Sequence, residues 1–165
     1  MSFIVVDEPP DRAEFTAEAL RVIARQVERE RARLLERVAA ASEADLAAGT
    51  DDDWGLGQIA LHLLTTERGM CGIALRLARG EPSGETGQPR PRTGSATREG
   101  LASLAAKAKE RLARTVADFP PEPNTETTAR QPFYGEMNCF AWLLAIPVHY
   151  ASHFDSLESG TRSAM

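Results

Sequence analysis

Cysteine is scarce in this sequence, with only Cys71 and Cys139 among 165 residues. The two lie far apart, and neither belongs to a C-x-x-C pair of the kind that builds a zinc knuckle. A disulfide framework is not indicated either, because it would need several cysteines at short spacings. We therefore expect two buried, reduced thiols.

Long basic runs are also missing. The chain has 24 acidic and 19 basic residues, for a formal net charge of −5. No basic run is long enough to follow a phosphate backbone, so nucleic acid is not an expected partner.

Long apolar runs are missing as well. The longest extends over residues 139–148 and falls well short of the ~20 residues that a membrane span needs. The opening MSFIVV lacks the basic flank and the cleavage pattern of a signal peptide. These absences predict a cytoplasmic protein with no membrane partner.

Helical periodicity covers most of what is present, and the length suits a single domain over residues 1–165. Apolar residues recur at spacings of three and four, and only FIVV near the start resembles a strand. The pattern predicts an all-α four-helix bundle. Its helices are predicted at 11–42, 55–79, 96–119 and 138–158.

The connections between these helices differ in length and composition. Residues 80–95 are rich in Pro and Gly, and 120–137 are Pro-rich and polar, so both are predicted to be loops. About 15 extended residues can span ~45–50 Å, which exceeds the ~37 Å of a 25-residue helix. The first loop can therefore carry the chain back along the bundle and let helices 2 and 3 lie parallel.

Histidine is as scarce as cysteine, and its three positions are informative. His149 and His153 are four residues apart on the apolar face of helix 4, so both imidazoles can reach one ion. His62 lies on or beside the apolar face of helix 2. Three converging neutral imidazoles suit Zn²⁺ or Ni²⁺ and leave a coordination position open, as in catalytic sites. Ordinary core histidines are the alternative interpretation.

Several neighbours of the histidines could shape such a site. Gln58, Thr66 and Gly69 lie within about 40° of His62 on a helical wheel and could line a cofactor cavity. Gly69 could instead allow close helix packing. Pro147 is expected to bend helix 4 just before the ligands.

Charged residues near the predicted core are harder to place. Glu30 and Arg31 interrupt the apolar stripe of helix 1, which favours solvated ion pairs, with a polar group facing a pocket as the alternative. Glu67, Asp155 and Glu158 lie within about a turn of the histidines, but helix angles assign none of them a role there.

Two segments resemble a known family. WGLGQIALHLLTTERG (54–69) and PFYGEMNCFAWLLAIPVHYASHF (132–154) are similar to the DinB-like superfamily of four-helix-bundle metalloproteins, with one His on helix 2 and H-x-x-x-H on helix 4. The resemblance implies a divalent metal held by His62, His149 and His153. It also implies an up-down-down-up topology, frequent homodimers and kinship with transferases and isomerases that use low-molecular-weight thiols.

These observations lead to a functional hypothesis. We expect a metal-dependent enzyme that acts on a small-molecule substrate, with a transferase-like activity that uses a low-molecular-weight thiol, because a thiolate is a donor that suits Zn²⁺. The catalytic residues are not identified by the sequence. The alternatives are a metal-dependent hydrolase and a non-catalytic metal-binding bundle of the stress response.

Overall fold

A computed structural model describes residues 11–87 and 90–159. In these ranges, four long helices and one short helix build most of the protein. The all-α prediction and the bundle are confirmed; the FIVV segment lies outside the described residues. The helices are α1 Arg12–Ala40, α2 Glu43–Ala47, α3 Leu56–Ala78, α4 Arg98–Asp118 and α5 Cys139–Ser159. Two short strands are β1 Ala129–Gln131 and β2 Gly135–Met137.

Helix α1 follows its apolar stripe but ends earlier than predicted. Asp11 caps its start by accepting a hydrogen bond from the Ala13 amide. Beyond Ala40, Ser42 and Asp45 exchange side-chain and backbone hydrogen bonds as a capping box. That box starts the separate helix α2, because it satisfies the amides that a continuing α1 would have used.

Helix α3 begins at a glycine rather than at a side-chain cap. Gly55 is the N-cap residue, and its amide donates to Oε1 of Gln58. A Cβ at Gly55 would lie 2.1 Å from the carbonyl oxygen of Ala48, so no larger residue fits there. In the loop before α3, the Thr50 hydroxyl accepts a hydrogen bond from the Asp53 amide.

Hydrogen bonds at the helix ends establish the topology. The Arg98 guanidinium, at the start of α4, donates to the carbonyl oxygens of Val38, Ala39 and Ala41 at the end of α1. Thr93, just before α4, donates to Asp51, just before α3. Helices α3 and α4 therefore start at the same end of the bundle, and α1 runs opposite to both.

Helix α5 completes the arrangement. Near its C-terminus Glu158 pairs with Arg37, which lies near the C-terminus of α1, so α1 and α5 are parallel. The order is up-down-down-up, as predicted, with residues 79–97 as the long crossover. None of the helices in the described ranges is long and apolar enough to cross a membrane.

A β-hairpin occupies part of the segment that was predicted to be loop. Strands β1 and β2 are antiparallel, with Gln131 opposite Gly135. Gly135 has a φ of 81°, and Oε1 of Gln131 accepts from the amides of Phe133 and Tyr134. The loop prediction was wrong here, because strands of three residues are too short to show a periodicity.

Candidate metal site

The three histidines meet at one point between α3 and α5. His62 is 2% exposed, and His149 and His153 are half-buried. The Nε2 atom of His149 lies 3.1 Å from Nε2 of His62 and 3.2 Å from Nε2 of His153. Helices α3 and α5 run antiparallel here, so one turn of α5 presents its pair of imidazoles to the single imidazole of α3.

This geometry fits a divalent ion. One ring nitrogen from each histidine lies within 4.8 Å of the others. Two nitrogens bound at ~2.1 Å to one tetrahedral ion would lie about 3.4 Å apart, close to the spacing seen. The cluster could therefore hold a metal ion with only small movements of the side chains.

The protonation of the imidazoles also suits metal binding. Burial, reinforced by the neighbouring His62 and His153, lowers the pKa of His149 to about 3. Burial and His62 lower the pKa of His153 to about 4. Both rings are therefore neutral at pH 7, with lone pairs available for a cation.

An aromatic ring supports the cluster from the side of α3. The Trp54 ring centroid is 5.1 Å from that of His62, and the Trp54 Nε1 donates to the carbonyl oxygen of Asp51. The loop before α3 thus restricts the orientation of His62.

A cavity of about 190 Å³ opens beside the histidines. The residues that line it come from α3, the hairpin and α5: His62, Thr66, Met70, Gln131, Phe133, Tyr134, His149, Ser152, His153 and Ser156. Phe133 and Tyr134 are more than half exposed, at the tip of the hairpin. The hairpin, which sequence analysis missed, thus forms one wall of the candidate site.

The three predicted cavity residues have different positions. Thr66 lines the cavity beside the histidines. Gly69 lines an adjoining cavity, and a Cβ there would meet nothing within 4 Å, so Gly69 is not needed for close helix packing. Gln58 is not among the residues that line either cavity. Its amide caps α3 and donates to the carbonyl oxygen of Thr50 at 3.0 Å.

A buried polar network lies behind the histidines. Glu67 on α3 accepts from Arg31 on α1 at 2.5 Å and from the Tyr150 hydroxyl on α5 at 2.7 Å. All three residues are buried. The preferred interpretation of Arg31 as a solvated residue was wrong, whereas Glu30 does form an ion pair with Arg33 near the surface. The break in the α1 stripe was the signal for this network.

The remaining carboxylates near the histidines are used differently or carry no assigned role. Glu158 lies within about a turn of the histidines in the sequence, but its side chain pairs with Arg37 of α1. This ion pair connects α5 to α1 at their C-terminal ends.

Comparison with known proteins agrees with the fold. The sequence profile of the DinB superfamily matches residues 26–156, a range that includes all three histidines. The chain belongs to the DinB superfamily.

One solved structure is similar to this DinB-superfamily protein over most of both chains. It is described as the crystal structure of TT2238, a four-helix bundle protein. The two are 24% identical, the match covers 85% of this chain and 98% of TT2238, and the TM-score is 0.65. This likeness supports the bundle fold. No curated protein matches the sequence.

Proposed function

We propose that this DinB-superfamily protein is a metal-dependent enzyme whose divalent ion is held by His62, His149 and His153. The observation that carries the proposal is the convergence of three Nε2 atoms from two helices beside a cavity. Zinc and nickel are the favoured ions, because imidazole is a preferred ligand of both. Three protein ligands leave a position open to a small molecule from the cavity.

The proposed reaction is transfer from a low-molecular-weight thiol to a small electrophilic substrate. The ion would supply Lewis acidity, which lowers the pKa of a thiol placed beside it. No Asp, Glu or Lys is among the described residues that line the cavity, so the chain provides no evident general base there. This favours a nucleophile that the ion alone can activate.

The residues of the chain have distinct tasks in this proposal. Burial keeps the imidazoles neutral, and the network of Arg31, Glu67 and Tyr150 holds α1, α3 and α5 in register behind them. Phe133 and Tyr134 form the hairpin wall of the cavity and offer apolar surface to a substrate. Thr66 offers a hydroxyl to the substrate.

Metal binding is the first part of the test. Protein purified without an affinity tag is analysed for metal, stripped with a chelator and titrated with Zn²⁺ and Ni²⁺ in a calorimeter. We expect one site per chain, with at least 100-fold weaker binding in His62→Ala and in His149→Ala/His153→Ala. Ser152→Ala, which changes a cavity residue but no imidazole, should bind like the wild type. Metal retained by the double variant would contradict the proposal.

Turnover is the second part. The loaded protein is mixed with a panel of small thiols and with epoxides or haloarenes, and product formation is compared with that of His62→Ala. Metal-dependent hydrolysis of an ester or amide, without thiol transfer, would instead indicate a hydrolase. Metal binding without either reaction would indicate a non-catalytic metal-binding bundle.

A further inference from the structure

The cavity beside the histidines continues into a second one. The second cavity has a volume of about 220 Å³, and Thr66, Met70 and Gln131 line both. We call the two together the histidine groove. It follows α3 from His62 past Gly69 and follows α5 from His149 back to Trp142, and each path is two helical turns, or about 10 Å.

Two residues that line the groove each carry a buried polar atom with no hydrogen-bond partner among the described residues. These atoms are Oγ1 of Thr66 and Nε1 of Trp142, and Trp142 is only 3% exposed. The indole N–H of Trp54, by contrast, has the Asp51 carbonyl as its acceptor. A buried donor without an acceptor costs about 1–3 kcal/mol, so such donors are rare unless a ligand or water uses them.

The charge of the groove restricts what those donors can bind. None of the described residues that line it is Lys or Arg, and Glu85, at the second cavity, is its only acidic residue. At the second cavity, beside Trp142, a carboxylate or phosphate would find no cationic side chain and would be repelled by Glu85. A neutral oxygen acceptor on a mainly apolar molecule needs no cationic partner and is not repelled by Glu85.

We propose that the histidine groove is the substrate subsite and that it selects a neutral, largely apolar small molecule with a carbonyl oxygen. The carbonyl accepts from the Trp142 indole N–H and the Thr66 hydroxyl, and the apolar part packs on Met70 and Ile73. Trp142 and Thr66 thus determine specificity, since a substrate without the carbonyl would leave their donors unpaired. The inference rests on the proposed function only in calling the ligand a substrate.

The test uses three compounds of one shape. 3-Phenylpropanamide carries a neutral amide carbonyl, and 3-phenylpropanoate carries a negatively charged carboxylate at the same position. Propylbenzene has no polar group. Binding is measured by ligand-detected NMR to the metal-free and Zn²⁺-loaded protein. We expect the metal-free protein to bind the amide at least fivefold more tightly than the other two.

Variants identify the donors. Thr66→Val keeps the shape of its side chain, and Trp142→Phe keeps an aromatic ring at its position. Both remove the polar group, and each should reduce the preference for the amide severalfold. Thr115→Val, a buried threonine on α4 outside the groove, should leave it unchanged. Gly69→Ala adds a methyl group where nothing lies within 4 Å and keeps both donors, so it should weaken all compounds alike.

A spectroscopic signal reports the hydrogen bond directly. In Trp54→Phe the only tryptophan is Trp142, and its emission should shift to longer wavelength with the amide but not with propylbenzene. This readout does not depend on how the other variants fold.

The outcomes separate this inference from the proposed function. Four results with the metal-free protein would overturn the inference: equal binding of amide and hydrocarbon, tightest binding of the carboxylate, an amide preference that survives both donor variants, or no binding of any compound. Metal binding by the histidines would still stand in each case. An amide preference that persists in His62→Ala would support the groove and would be compatible with the metal enzyme. An amide preference in a wild-type protein that binds no metal would support the groove and contradict the metal enzyme.

Discussion

Glu67 is a carboxylate that is enclosed by three helices and is 1% exposed. Burial raises its pKa, and the charge of Arg31 and the hydrogen bond from Tyr150 act in the opposite direction. An ion pair in such a place is weak evidence for stability, because desolvation offsets much of the attraction. Removing one member of the ion pair destabilises the fold strongly, because the charge of the other member stays buried without a partner.

We predict that Glu67→Ala lowers the free energy of unfolding by about 3–5 kcal/mol, because the Arg31 guanidinium would remain buried without its partner. Tyr150→Phe should cost about 1–3 kcal/mol, since it removes one hydrogen bond from the carboxylate. Urea unfolding measures both. Glu18→Ala, which breaks an exposed pair with Arg21, is the control and should leave the midpoint unchanged. Equal effects of Glu67→Ala and the control would contradict the prediction.

Cys71 gives a second prediction at the scale of single residues. Burial, helped by the nearby charge of Glu67, raises the pKa of its thiol to about 12. Because the thiolate is the reactive form, iodoacetamide should not modify Cys71 in the folded protein at pH 8 or at pH 10. Mass spectrometry of the folded and urea-unfolded protein checks this, and modification of Cys71 only after unfolding is the expected result. Rapid labelling of the folded protein would show the thiol to be accessible.

At the scale of elements, α5 is unusual because it carries Pro147 in its interior and still forms one helix from Cys139 to Ser159. Proline removes one backbone hydrogen bond and its ring crowds the carbonyl of Leu143. The bend that we expect there stays a prediction. Its position, two residues before His149, would tilt both imidazoles of α5 toward His62.

Pro147→Ala tests whether that bend serves the site. The substitution should raise the free energy of unfolding by about 1–3 kcal/mol, because it restores a helical residue and its hydrogen bond. If the bend positions the histidines, Zn²⁺ binding should weaken severalfold at the same time. Val148→Ala, at an exposed neighbouring position, should not change Zn²⁺ binding. A more stable variant with unchanged metal affinity would show that the proline has no role in the site.

At the scale of the whole molecule, Arg98 links the crossover to the rest of the bundle. Its guanidinium donates to three carbonyl oxygens at the C-terminus of α1 and pairs with Glu43 of α2. These carbonyls have no helical partner of their own, so the arginine acts as their cap. One side chain thus connects α1, α2 and α4 at the end of the bundle where the crossover arrives.

We predict that Arg98→Ala lowers the free energy of unfolding by about 1.5–3 kcal/mol, the range for hydrogen bonds to a charged group. Arg98→Lys should recover only part of the loss, because a single ammonium group cannot reproduce the planar fork. Chemical denaturation measures both, with Arg114→Ala at an exposed pair as the control. A loss no larger than that of the control would contradict the capping role.

The sequence by itself determined the helices, the bundle and the set of candidate ligands. Apolar residues at spacings of three and four specify which face of each helix is buried, whatever it packs against. The same geometry places His149 and His153 on one face, and their convergence with His62 follows the pattern that the DinB resemblance implied.

Only the tertiary structure decided which distant residues meet. Glu67 lies 36 residues from Arg31 and 83 from Tyr150, and no local pattern reports such contacts. No local pattern predicts that the Gln58 amide donates to the loop before α3. Nor does one predict that the Trp142 indole N–H and the Thr66 hydroxyl lack partners among the described residues. Periodicity is a property of one helix, whereas a pocket or a buried network depends on how several helices and a hairpin pack together.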